Sequence, residues 1–266
     1  MGCMPRPAFV LGGLLWLSCA MAAAQTPAES NLDSLIGEYE QLIRSEDPVS
    51  AGQEGDRNAL RRLPDVRPET QQAATKQLKG IAQRLAAIDV SGLSEEAALN
   101  HQLLTDVVST HSEQLTFDLP RIPFENDSGF HTLLDYLART TSIGSREDAD
   151  SWLARLEATP TFYEQNLANL RRGIKTKYTQ PRIVAERVLE VARKQANGKA
   201  EDSSLLLPFA RMPSSIPASA QEEYRNKALA IVRDRILPAQ KKFAEFMARE
   251  YLPAARPKLA WRTTPN

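Results

Sequence analysis

The stretch from Ser145 to Asn197 limits this chain more tightly than any other. It reads SREDADSWLARLEA, TPTFYEQNLANLRRGIKTKY and TQPRIVAERVLEVARKQAN in succession, and each part opens on a helix start signal. Ser145, with Asp148 three positions on, can cap a helix, because a side-chain oxygen accepts an N–H group that the first turn leaves without a partner. Pro160 and Pro181 can each stand in a first turn, where a missing N–H costs nothing. The apolar residues recur with the helical period: Trp152, Leu153 and Leu156; then Phe162, Tyr163, Leu167, Leu170 and Ile174; then Val184, Val188 and Val191. Three successive helices are predicted, each with an apolar stripe that only another helix can bury.

The remaining segments read the same way. Ser30 and Asp33 open a helix with Leu32, Leu35, Ile36, Tyr39, Leu42 and Ile43 on its inner face, and Asp47-Pro48 ends it. A polar stretch with Gly52, Gly55 and Asp56 predicts a surface loop holding at most one short helical turn. Pro68 starts the next helix, whose seam of Ala74, Leu78, Ile81, Leu85 and Ile88 is spaced by fours and threes before Ser91-Gly92 breaks it. Ser94 caps another, with Leu103, Leu104, Val107, Val108 and Leu115 assigned to its inner face. Proline-punctuated FDLPRIPFENDSG, from Phe117 to Gly129, precedes a short helix through Leu133, Leu134 and Leu137.

Gly198 suits a left-handed helix end. A second irregular segment then runs to Pro217 around Leu205-Leu206-Leu207-Pro208-Phe209. The last helix is predicted from Ser219, boxed by Glu222, to Leu252, with a kink at Pro238. Its apolar residues, Tyr224, Val232, Ile236, Phe243, Phe246, Met247 and Tyr251, cover a wide arc and call for neighbours on two sides. No strand-like alternation and no fixed repeat compete with this reading. The fold class is all-α: a layered bundle of amphipathic helices with two proline-rich irregular segments.

Residues 1–24 stand apart as a signal peptide. Arg6 is a minimal positive region, AFVLGGLLWL a short apolar core, and Ala22-Ala23-Ala24 a small-residue cleavage site. Cleavage is expected between Ala24 and Gln25, leaving 25–266 as a single helical domain with no membrane span and a periplasmic or secreted location. Lipid anchoring at Cys19 is the lesser alternative, since Trp16-Leu17-Ser18 is a poor lipobox. Both cysteines, Cys3 and Cys19, fall in the leader, so the processed chain can form neither a disulfide nor a thiolate metal site. Lys plus Arg equals Asp plus Glu, 33 against 33, which gives no basic excess for nucleic acid.

Chemistry is sparse. There is no His-Glu-x-x-His, and His101 and His111 stand ten residues apart on one predicted helix, a rise of roughly 15 Å that cannot clasp one ion. Ser109 and Ser112 beside His111 do not make a triad, and no Gly-x-Ser-x-Gly elbow occurs. The pairs Glu95-Glu96 and Glu222-Glu223 suit helix first turns, and the basic run from Arg171 to Lys177 reads as a solvated helix end. The residues therefore supply no catalytic set and no metal set. The ligand-contact candidates are Asn126, Asp127 and His131, in the one loop that clusters polar groups between scaffold helices.

The order of phrases carries a resemblance. RLPDVRPE, LSEEAALNHQLL, DADSWLARLEATPTFYEQNLANLRRGI, QPRIVAERVLE, LLLPFARMPSSIP and AREYLPAAR follow one another from about Asn31 to Arg256. Together they resemble the N-terminal half of the bacterial domain-of-unknown-function 885 family. The resemblance implies an exported, helical, zinc-metallopeptidase-like protein whose His-Glu-x-x-Pro-Gly-His signature belongs to the C-terminal half. On that reading zinc is implied only for the C-terminal half, and no cofactor is expected in this chain, which would not be catalytic alone. Its partner would be that missing half or a hydrophobic protein, with a peptide as possible ligand. The alternative is a self-sufficient exported helical binding module.

Overall fold

The computed structural model describes residues 26–259. The expected leader, with Cys19 and the Ala24–Gln25 junction, lies outside them. Among the described residues β-structure is limited to two isolated bridges, Phe124 with Gly129 and Pro181 with Arg256. The architecture is all-α.

Three mutually packed helices form the first layer: α1 (Pro27–Glu46), α3 (Pro68–Ala86) and α4 (Glu95–Thr116). The short α2 (Pro48–Gln53) lies between the first two. The first helix begins earlier than predicted, because Thr26 and Glu29 form the capping box instead of Ser30 and Asp33. The seam of α3 is buried as its spacing required, and it packs with Leu32, Leu35, Leu104 and Val108 into a separate apolar cluster. The assignment for α4 needs correction. Leu104 and Val108 point inward, but Leu103 is 53% and Val107 43% exposed. Both adjacent pairs look alike in sequence, and only the placement of α1 and α3 decides which member of each is covered.

The second layer is organised by α6 (Arg146–Lys175), a single helix of 30 residues with Pro160 in its interior. Two predicted helices are therefore one. An interior proline forfeits a backbone hydrogen bond at a cost of about 3 kcal/mol. The stripe of Trp152, Leu156, Phe162, Tyr163, Leu167 and Leu170 is buried continuously across it, which offsets that loss. Ser145 and Asp148 form the expected capping box.

Around α6 pack α5 (Phe130–Thr140), α7 (Arg182–Ala196), the single turn α8 (Leu207–Ala210) and a C-terminal run. That run comprises α9 (Ala218–Ile231), α10 (Leu237–Phe246) and α11 (Leu252–Ala254), joined by π-helical turns at Val232–Ile236 and Met247–Tyr251. Each π turn precedes a proline, Pro238 or Pro253. The carbonyls those rings leave without a donor, Asp234 and Arg249, lie inside the widened turns, so the chain continues where an α-helix would break.

Two further expectations fail here. The Ser219–Glu222 box does not form, since α9 opens directly after Pro217 with no side-chain cap. Gly198 is not left-handed; among the described residues the positive-φ glycines are Gly55 and Gly129. The wide apolar arc of the last helix does find neighbours on two sides. Val232, Ile236, Phe243, Phe246, Met247 and Tyr251 are all buried, because the run lies between α6 and α7 and meets both. Among the apolar side chains that do face outward, Leu99, Leu103 and Val107 form a row four residues apart on α4.

Polar side chains of α6 hold the irregular segments in place. Arg155 donates to the carbonyls of Pro48, Ala59 and Arg62, and Asn169 donates to that of Val66 at 2.7 Å. Gln165 accepts from the Val66 N–H at 3.2 Å. The basic run at its end is not simply solvated. Arg171 makes two bonds to Glu250, at 2.8 and 2.9 Å, and Arg172 binds Asp118, whose αL backbone (φ 49°) starts the proline segment.

Candidate functional site

The proline segment from Phe117 to Gly129, α5, α6 and α7 enclose a cleft of about 1230 Å³. Its shape begins with local chemistry. Glu125 N–H donates to the Ser128 carbonyl at 2.8 Å and Phe130 N–H to that of Pro123, which folds the Asn126–Gly129 tip into a tight turn. Gly129 closes the turn at φ 152°, and a Cβ there would stand 2.6 Å from that of Phe124. The turn thus sets Phe124 and Phe130 side by side at the start of α5, and both are buried.

Val66, Ile122, Phe130, Leu133 and Phe162 give the cleft an apolar lining. Its polar lining carries both signs of charge: Arg139, Lys194 and Lys199 against Asp127, Asp135 and Asp202. Between them runs a hydrogen-bonded core. Asp135 accepts from Gln195 at 2.8 Å and from the Ser204 hydroxyl, tying α5 to α7 and to the segment after it. Gln195 also donates to the His131 carbonyl at 2.9 Å, while its own Oε1 is buried without a partner among the described residues.

The three sequence candidates separate. Asp127 lies on the cleft wall. Asn126 is exposed and accepts a hydrogen bond from Arg187 of α7, so it anchors the turn. His131 is not a surface ligand at all: it is 2% exposed, boxed by the rings of Phe124, Phe130 and Phe243. Neither ring nitrogen has a partner among the described residues. Burial pushes its imidazole down to about 4, against the smaller upward pull of the Asp135 carboxylate. It is a neutral aromatic filler at pH 7. Tyr163 beside it is likewise held protonated by burial and donates to the His131 carbonyl at 3.3 Å.

Asp135 and Gln195 were missed in the sequence. Asp135 stands four residues after His131, which puts the two on one helix face. That signal was available but cannot tell a cleft wall from a solvated face.

A zinc ion does not fit what is here. His101 bonds the Leu85 carbonyl at 3.0 Å, His111 meets Glu46 at 3.1 Å, and His131 is closed in its aromatic box. Among the described residues no group of three or more His, Cys, Asp or Glu side chains could hold a metal ion.

The fold has a solved counterpart. The crystal structure described as "the putative lipoprotein from Colwellia psychrerythraea" superposes with a TM-score of 0.78 at 14% identity, over 90% of this chain and 44% of that one. Identity so low establishes the shared fold alone, and the chain spans less than half the length of this solved neighbour. No curated relative matches it. The profile of one family covers residues 48–265, so the chain belongs to DUF885, the bacterial proteins of unknown function.

Proposed function

We propose that this chain is an exported helical module that receives a peptide in the cleft beside α5, α6 and α7. In a zinc-metallopeptidase-like architecture it would form the non-catalytic wall. The cleft carries the reading. Its volume of about 1230 Å³ exceeds the range usual for small-molecule sites, which is about 300–1,000 Å³. Its apolar lining suits side chains, and polar groups of both signs suit the charged ends and amides of an extended chain. Export is supported by the apolar leader and by the lipoprotein description of the solved neighbour. Peptide bond hydrolysis would need a zinc site from a part of the family domain that these residues do not supply.

Labelled short peptides titrated against the purified chain and followed by fluorescence polarisation test this. Saturable binding that is weakened by Val191→Trp, which narrows the cleft that Val191 lines, is the expected result. Binding unchanged by that variant would move the site elsewhere. The chain is also expected to retain no stoichiometric zinc through dialysis and to cleave no peptide. Chelator-sensitive cleavage would overturn the non-catalytic assignment.

A second reading, a module sufficient in itself, is favoured by one observation. The C-terminal run buries its large apolar side chains within the described residues, with Phe243, Met247 and Tyr251 each at 0% exposure. A remainder of the family domain, or a hydrophobic protein partner, would then meet the chain elsewhere, and the outward row on α4 is the apolar surface on offer. The coding sequence that follows codon 266 separates the two: a His-Glu-x-x-Pro-Gly-His stretch in any frame supports the first.

A further inference from the structure

Tyr136 borders a second cavity, of about 450 Å³, between α2, the end of α5 and the first half of α6. Arg155 lies in its wall and is 4% exposed. A guanidinium so buried is normally matched by a carboxylate. Here Nε and Nη2 meet only the backbone carbonyls of Arg62, Pro48 and Ala59, at 3.1, 3.4 and 3.2 Å. Burial pushes the group down to about 10, so it remains a cation at neutral pH. The carbonyl contacts explain how Arg155 pins the segment between α1 and α3, and they engage Nε and Nη2 but not Nη1.

The rest of the cavity fits a ligand that brings the missing negative charge. Thr141 and Ser142, just after α5, line its rim, Thr141 half-buried and Ser142 exposed. Thr140 and Ser151 give their protons to helix carbonyls, at 3.2 and 2.7 Å, and keep only acceptor capacity. Leu60, Leu137 and Trp152 supply an apolar wall. Asp148, the one carboxylate that lines the cavity, is already held by Arg57 at 2.8 Å and by the N–H groups of Gly144 and Ser145. Its presence disfavours a doubly charged phosphate more than a singly charged acid.

We propose that this cavity binds a small monocarboxylate, its carboxylate on Arg155 Nη1 and the Thr141 and Ser142 hydroxyls, its short apolar body against Leu60, Leu137 and Trp152. The site is separate from the peptide cleft and stands or falls without it.

Butyrate titrated into the purified chain, followed by the indole N–H resonance of Trp152, is the test. A saturable shift is expected, with none from butyramide, which has the same shape without the charge, or from chloride at matched ionic strength. Arg155→Gln should abolish the response. Because that change also removes three carbonyl contacts, the rim variant Thr141→Val with Ser142→Ala gives an independent reading. It should bind butyrate about tenfold more weakly while unfolding at the same denaturant concentration as the parent. Equal shifts with butyramide, no shift with butyrate, or a rim variant that binds as well as the parent would each overturn the proposal.

Discussion

Gly173 of α6 lies so close to the Arg121 carbonyl that a Cβ on it would stand 2.6 Å from that oxygen, and 2.8 Å from the carbonyl of Tyr178. The glycine is what lets the proline segment, and with it the cleft wall, sit directly on α6. Both obstructing atoms are backbone, so they cannot rotate away. Gly173→Ala is expected to destabilise the fold by about 1–3 kcal/mol, although alanine is the better helix former. Urea denaturation of the variant checks this, and a gain in stability would show that the contact relaxes freely.

The two leucines at the centre of α4 should separate cleanly. Leu104 is 5% exposed and Leu103 53%. Leu104→Ala is expected to cost about 2–5 kcal/mol, with Leu103→Ala within about 0.5 kcal/mol of the parent. Paired unfolding curves decide it. A costly Leu103→Ala would mean that the outer row is covered in solution.

His131 gives the stability a pH dependence of defined sign. Its imidazole titrates at about 4 in the folded chain, against 6.5 in a free one. Between those values the unfolded chain holds the extra proton, so acidification favours unfolding. The contribution is complete above about pH 6.5 and is lost as pH falls towards 4, reaching about 3 kcal/mol. His131→Phe should flatten the stability profile over that window by about this amount. A profile identical to the parent's would place the histidine in contact with water.

Processing of the leader is expected between Ala24 and Gln25. N-terminal sequencing of the exported protein should therefore begin at Gln25, and a mature chain starting at a lipid-modified Cys19 would contradict it.

The fold class, most helix positions and the buried seam of α3 were legible in the sequence, because helical periodicity and capping chemistry act within a few residues. The same local rules misplaced Pro160 as a boundary. A proline's cost is fixed locally, but the burial that offsets it comes from helices far along the chain. They also drew Leu103 and Val107 inward, since adjacent apolar pairs do not say which member a neighbour will cover.

The sequence by itself determined that this protein is a bundle of amphipathic helices with two irregular segments. Tertiary structure alone decided the site. It moved His131 from a loop ligand to a core filler, because the Asn126–Gly129 turn and Phe243, 112 positions later, close around it. It also set Asp135, Gln195 and Ser204 in one network and left Arg155 facing a cavity without a counter-charge. Burial of a polar group depends on which distant elements arrive beside it, and no local pattern records that.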